Sequence, residues 1–203
     1  MKNTSELRGY TQSLRAEQTA DTRQRILKGL VYLWQQDSLD KITLQAVAEH
    51  AGTTKQTVIR HFGTKDGLID AVIHERASGI EEKRTLKGEI NVERALSDLI
   101  AHYEEDGDAV LRTIAVAHSS QTAARVLTHG MNIHRQWCEK IMGADAMSVA
   151  KGTAGVDALV AATDIHVWKL LRRDLGRSRE QTHATMLLLV QGILAPPRGA
   201  ERK

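Results

Sequence analysis

Residues 52–65 of this 203-residue chain hold Lys55, Arg60 and Lys65, the imidazole of His61, the amide of Gln56 and four threonines, with no acid among them. Cationic side chains at that density attract phosphates whatever the base sequence. Gln56 and Thr57 are short enough to reach a base edge or the methyl of a thymine. That face predicts contact with nucleic acid. Other reactive groupings are weaker. His134 and Cys138, four residues apart, share a helical face and could hold a soft metal with His129 or His102, but two ligands do not make a site and no metal is expected. His74-Glu75 opens like a zinc-protease helix, yet Ser78 stands where the second histidine belongs. A free cysteine such as Cys138 is more often a small buried hydrophobe than a reactive thiol. No glycine-rich phosphate loop or nucleophile turn occurs, so no enzyme and no cofactor are expected.

The elements that must position the basic face read as helices throughout. The only two prolines, Pro196 and Pro197, lie near the C-terminus, and no stretch alternates as a strand would. Residues 1–20 are polar without clear periodicity and read as a flexible arm. A first helix is expected from Asp21, with Gln24 completing a capping box and Ile26, Leu27, Leu30, Val31 and Trp34 forming one apolar stripe. Thr43 should cap a short second helix that buries Leu44, Val47, Ala48 and Ala51 and stops at Gly52. Thr54 should cap a third that buries Val58 and Phe62, and a fourth should run from Lys65 past Arg76. Two short helices joined by a tight glycine turn form the helix-turn-helix pattern, in which one helix braces the next against the major groove. Thr43, Gln45, Thr54, Lys55, Gln56, Thr57, Ile59, Arg60, His61 and Lys65 are the candidate DNA contacts.

Charge is distributed to match. Residues 1–65 carry 10 Lys and Arg against 6 Asp and Glu, net +4, which leaves 18 against 19, net −1, for the rest of a chain whose total is +3. The excess of positive charge therefore sits at the end that carries the pattern, a weak sign of a polyanion-binding head.

Residues 42–68, with the apolar stripe of residues 26–34, resemble the N-terminal signature of the TetR/AcrR family of transcriptional regulators. Thr43, Ala48, Ala51, Gly52, Thr54, His61, Phe62 and Lys65 occupy the places of that family's caps, buried alanine pair, turn glycine, terminal aromatic and opening lysine. Ile59 departs from it, standing where many members carry a phosphate-contacting tyrosine. The resemblance implies a homodimer that reads a palindromic double-stranded operator and is commonly a repressor released by a small-molecule effector. The alternative is a helical ligand-binding or protein-interaction dimer with a vestigial helix-turn-helix.

The fold expected is all-α with about nine helices: a helix-turn-helix domain over residues 21–80, including the start of a linking helix, then a helical effector-binding and dimerisation domain over 81–203. Beyond residue 89, helices are expected over 92–103, 109–117, 121–142, 156–171 and 180–194. Apolar residues with a few polar anchors make His102, Tyr103, Met131, His134, Trp137, Cys138 and Trp168 candidates for the effector site. Helices apolar on more than one face must bury both. Val156, Leu159, Val160, Thr163, Val167, Leu171, Met186, Leu189, Val190 and Ile193 are accordingly candidates for a dimer interface. One cysteine and no apolar run long enough to span a bilayer point to a cytoplasmic protein without membrane contact.

Overall fold

The computed structural model describes residues 4–84, 91–143 and 146–195. Among these the chain is all helix, without strands. It divides into two compact units, residues 1–78 and 79–203.

The N-terminal unit holds α1 (Thr4–Gln36), a 3₁₀ turn (Leu39–Lys41), α2 (Leu44–His50), α3 (Lys55–Phe62) and most of α4 (Lys65–Arg84). Its core is the expected stripe of α1, Ile26, Leu27 and Leu30, packed with Leu39, Ile42, Val47, Ala48, Val58, Leu68 and Ile69. Val58 is fully buried, and that side chain alone contributes roughly 1.5–3 kcal/mol from apolar surface removed from water. The start expected for α1 at Asp21 is corrected. The helix already runs from Thr4, and Asp21 lies inside it, pairing with Arg25 one turn on at 3.1 Å instead of capping. Residues 4–20 are rich in Glu, Leu, Arg, Gln and Ala, good helix formers, so propensity extends the helix where no apolar stripe announces it. Residues 1–3 of the expected arm lie outside the described residues.

The C-terminal unit holds α5 (Val92–Val116), α6 (Gln121–Met142), α7 (Ala146–Ala162), α8 (Ile165–Lys169), a π-helical turn (Leu170–Asp174) and α9 (Arg179–Leu194). Asn91, Ser120, Asp164 and Ser178 cap α5, α6, α8 and α9 with side-chain oxygens, and Ser178 with Gln181 forms a full capping box. Leu96, Ile100, Tyr103, Trp137, Cys138, Leu159, Trp168, Met186 and Val190 make one continuous core.

Two expected boundaries fail for identifiable reasons. The helices expected at 92–103 and 109–117 are the single α5, because Gly107 is a point of close approach and not a stop. A Cβ built there would lie 2.5 Å from Trp168 Cζ3 and 2.6 Å from Cη2, so only glycine lets the indole lie on the helix backbone. The helix expected over 156–171 is interrupted: α7 ends at Ala162, and the Asp164 carboxylate accepts from the His166 amide at 2.8 Å to start α8 anew. Gly152, at φ +52, breaks α7 internally.

Candidate nucleic-acid interface

The recognition candidates stand on a frame held by two threonine caps. Thr43 Oγ1 accepts from the Ala46 amide at 3.1 Å, and Thr54 Oγ1 accepts from the Thr57 amide at 3.2 Å. Each cap satisfies one of the orphan amides of a short helix, worth about 1 kcal/mol apiece. Between them the turn closes with Gly52 N–H donating to Glu49 O at 3.1 Å and Thr53 N–H to Ala48 O at 2.9 Å. Gly52 takes φ +62, a left-handed conformation that a side chain would strain.

On this frame Lys55, Gln56 and Arg60 are exposed on α3, while Val58 anchors its opposite side. Residues 55–62 make about two turns at 3.6 residues each, so the core side returns at Phe62, Gln56 and Arg60 fall on the other side two residues from Val58, and Lys55 is exposed as the first residue of the helix. Thr57, Ile59 and His61 are half-buried on the flanks. The Thr57 hydroxyl lies 3.0 Å from that of Thr54, an arrangement that occupies it within the cap. Gln45 is exposed on α2 and its amide donates to Glu49 Oε1 at 2.8 Å. Burial, followed by the charges of Arg60 and Arg23, holds His61 below its ordinary value, which favours the neutral ring.

Lys65 opens α4 in a double role. Its Nζ donates to Asp40 O at 3.2 Å, tying α4 to the 3₁₀ turn. Burial lowers its pKa while Asp40 and Asp66 act in the opposite direction. Two arginines of α1 that the sequence did not single out also belong to the frame. Arg25 Nη1 donates to Ala51 O at 2.7 Å, and Arg23 lies over the Phe62 ring with its Cζ 5.3 Å from the centroid. The i,i+4 spacing of Asp21 and Arg25 lies open in the sequence; the reach of Arg25 to Ala51 does not.

The residues matched by the family model described as bacterial regulatory proteins of the tetR family are 26–72, which hold both threonine caps and the glycine turn. Over this N-terminal segment the chain is similar to the TetR family. No curated protein sequence matches it. Among solved structures the chain resembles a transcriptional regulator from Rhodococcus sp. Rha1 with TM-score 0.62 and 16% identity, over 85% of this chain and 95% of that one. GusR of Salmonella enterica aligns with TM-score 0.60 and 19% identity, over the same shares. A Mesorhizobium loti protein assigned to the TetR family of transcriptional regulators aligns with TM-score 0.58 and 16% identity, over 87% of this chain and 96% of that one. At such identities the likeness concerns the fold. The match over residues 26–72 supports DNA-binding transcription regulation.

In the C-terminal unit the effector candidates fall into distinct environments. Tyr103 is buried on α5 and its hydroxyl donates to Thr163 O at 3.1 Å. Thr163 Oγ1 lies 2.6 Å from Leu159 O and 3.0 Å from His134 Nε2. Its single hydrogen goes to the carbonyl, so His134 Nε2 carries a proton and donates to the hydroxyl. Cys138 is fully buried, its Sγ 3.7 Å from Thr163 Oγ1 and 3.9 Å from His134 Nε2, and His134 stacks on Trp137 with centroids 5.5 Å apart. Tyr103, His134, Trp137 and Cys138 are thus brought together. His102 faces the buried Asp106 at 3.3 Å. Trp168 is fully buried and donates to Glu104 Oε1 at 2.9 Å. Met131, by contrast, is 71% exposed.

The sequence also missed an ion-pair network around Trp168. Arg172 holds Glu104 with two hydrogen bonds, Nε to Oε1 at 2.6 Å and Nη2 to Oε2 at 2.9 Å, and Arg173 pairs with Asp108 while lying 4.6 Å from the Trp168 centroid. Arg172 also donates to Arg177 O. The Arg172 hydrogen bonds draw the Glu104 carboxyl below its ordinary value against the opposing effect of burial. More than sixty residues separate Glu104 from Arg172 and Asp108 from Arg173, so no local signal could have found these ion pairs.

The expected dimer face needs correction. Leu159, Thr163, Leu171, Met186 and Val190 are buried within the protomer and are already covered by its own helices. Val156, Val160, Val167 and Ile193 are half-buried, whereas Leu189 is 44% exposed and its neighbour Leu188 70%. The protomer itself thus covers much of the surface expected to pair, and Leu188 and Leu189 remain exposed.

Proposed function

We infer that the chain is a homodimeric, sequence-specific regulator that represses transcription from a palindromic operator and is released by a small-molecule effector. The observation that carries the DNA reading is α3: a capped helix, anchored by the fully buried Val58, that presents Lys55, Gln56 and Arg60 to solvent with no acid on its length. Lys55 and Arg60 would hold phosphates and Gln56 would read a base edge. One head reads too few bases for operator specificity, and two heads about 34 Å apart read successive major grooves. The apolar surface left by the protomer at Leu188 and Leu189 on α9 supports pairing of two copies there.

The effector site would lie among the C-terminal helices near Tyr103, His134, Trp137 and Cys138, with His102, Trp168 and Met131 as further candidates. An effector that prefers one spacing of the two heads would shift the population toward it, and α4, continuous from Lys65 to Arg84, is the element that would carry the change. Such a protein needs no catalytic group or cofactor and works in the cytoplasm, where its DNA is. Among the described residues no helix is long and apolar enough to cross a membrane.

The test is selection of duplexes from a random library by the purified protein, followed by fluorescence anisotropy with nonspecific competitor. A palindromic consensus bound by two protomers, or a multiple of two, supports the reading. Failure to enrich any sequence refutes it and favours the second reading, a dimer whose helix-turn-helix is vestigial, for which the aliphatic Ile59 speaks because it cannot donate to a phosphate.

A further inference from the structure

The α1 arginines meet the helix-turn-helix at the end of α2, just before the turn, and at the last residue of α3. Ala51 is the C-cap of α2, and its carbonyl belongs to the last turn, whose acceptors have no partner within the helix. Arg25 Nη1 donates to that carbonyl at 2.7 Å, across 26 residues of sequence. The same guanidinium is aimed from behind: Nε donates to Asp21 Oδ2 at 3.1 Å and Nη2 to Thr22 Oγ1 at 3.3 Å. A Cβ added at Gly52 would come 3.4 Å from Arg25 Nη1, so the fork lies directly against the turn. Three residues beyond Ala51, Thr54 caps α3. At the far end, Arg23 lies over Phe62, the last residue of α3, and pairs with Glu75 of α4 at 3.4 Å.

We propose that Arg25 is a positioning residue for DNA recognition: its guanidinium clamps the Ala51 carbonyl and thereby sets the pose in which α3 enters the groove, without itself contacting phosphate. A planar fork with fixed donors can serve the carboxylate, the hydroxyl and the carbonyl together. A lysine ammonium keeps the charge and loses that geometry. Positive charge at the C-terminal end of α2 is also favourable to the helix dipole. The consequence falls on specificity, because a tilted recognition helix still meets phosphates but misplaces the side chains that reach base edges.

This rests on the DNA-binding reading above, and the experiment separates the two. The probes are the duplex selected by the wild-type protein and a scrambled duplex of the same length, each titrated over a range of salt. Arg25→Met should weaken the selected duplex about tenfold, the loss of one charge-assisted hydrogen bond. The scrambled duplex should change by less than about twofold, and the slope of log affinity against log salt should stay as in wild type. Arg25→Lys should not rescue the selected duplex. Amide exchange at Gly52, Thr53 and Thr54 should quicken in Arg25→Met while that of Val47, inside α2, holds. A fall in salt slope of about 0.9, or rescue by lysine, would make Arg25 a phosphate contact and overturn the proposal. So would unchanged affinity for the selected duplex. Should Arg25→Met not fold, Asp21→Asn, which loosens the aim of Arg25 alone, must show a smaller loss of the same pattern, and equality with wild type would overturn the proposal. If the wild-type protein selects no duplex, the DNA reading fails, while exchange at Gly52–Thr54 still decides whether Arg25 holds the turn.

Discussion

Gly107→Ala sets two physical effects against each other at one position. An alanine in a helix interior is more favourable than glycine by about 1 kcal/mol, so propensity alone calls for stabilisation. The new methyl, however, would sit 2.5 Å from Trp168 Cζ3, 2.6 Å from Cη2 and 3.2 Å from Cε3, against a ring that is fully buried. That ring cannot swing aside cheaply. Its Nε1 is bonded to Glu104 Oε1 at 2.9 Å, Glu104 is fixed by Arg172, and the Arg173 guanidinium lies over the ring. Overpacking of this kind costs roughly 1–3 kcal/mol, and the strain of disturbing the Glu104 bond moves it toward the upper end. The net effect expected is destabilisation of about 1–2 kcal/mol, a fall in Tm of a few degrees for a chain of this length. Urea denaturation followed by tryptophan fluorescence should show a lower midpoint with an unchanged slope. The same substitution made on Trp168→Leu should be neutral or stabilising, since the clash is then gone and propensity remains. Gly107→Ala at or above wild-type stability would refute the assignment of Gly107 to close approach.

Three further expectations follow from the geometry. Glu104 has its folded pKa depressed by Arg172, so its contribution is present above the ordinary carboxylate value of 4.5 and is lost as pH falls through the lower folded value. Glu104→Gln should therefore flatten the acid limb of a Tm profile as pH falls below about 4.5, and an unaltered limb would remove the ion pair from the account. Lys55→Ala and Arg60→Ala should each lower affinity for all duplexes and reduce the salt slope by about 0.9, measured by anisotropy; a slope equal to wild type would show that the side chain meets no phosphate. Leu188→Glu with Leu189→Glu should convert a dimer to a monomer in sedimentation at micromolar concentration while leaving the circular dichroism spectrum helical, and a persistent dimer would place the interface elsewhere.

Much of the N-terminal unit was legible because its signals are local. A threonine cap, a buried residue every three or four positions and a glycine at the turn each act within a few residues, so Thr43, Val47, Gly52, Thr54 and Val58 can be read in order along the chain. The basic face of α3 is equally local, since a helix of known start determines which side chains point away from its core residue. The failures share the opposite character. Gly107 reads as a breaker until Trp168, sixty-one residues later, is seen lying on it. Residues 4–20 give a periodicity argument no clear pattern to act on, yet α1 runs through them.

The sequence by itself determined an all-α chain, the two capped helices with their turn, and the exposed basic side chains of α3. Tertiary structure alone decided which apolar faces of α7 and α9 the protomer covers, placing Leu159, Met186 and Val190 inside and leaving Leu188 and Leu189 out. It also decided that Arg25 ends on Ala51, that Lys65 ends on Asp40, and that Glu104, Arg172 and Trp168 form one network. The physical reason is range. Caps, turns and helical periodicity are settled by neighbours a few residues away, whereas burial and long ion pairs depend on which distant segments arrive at the same place, and one sequence states that only through the fold.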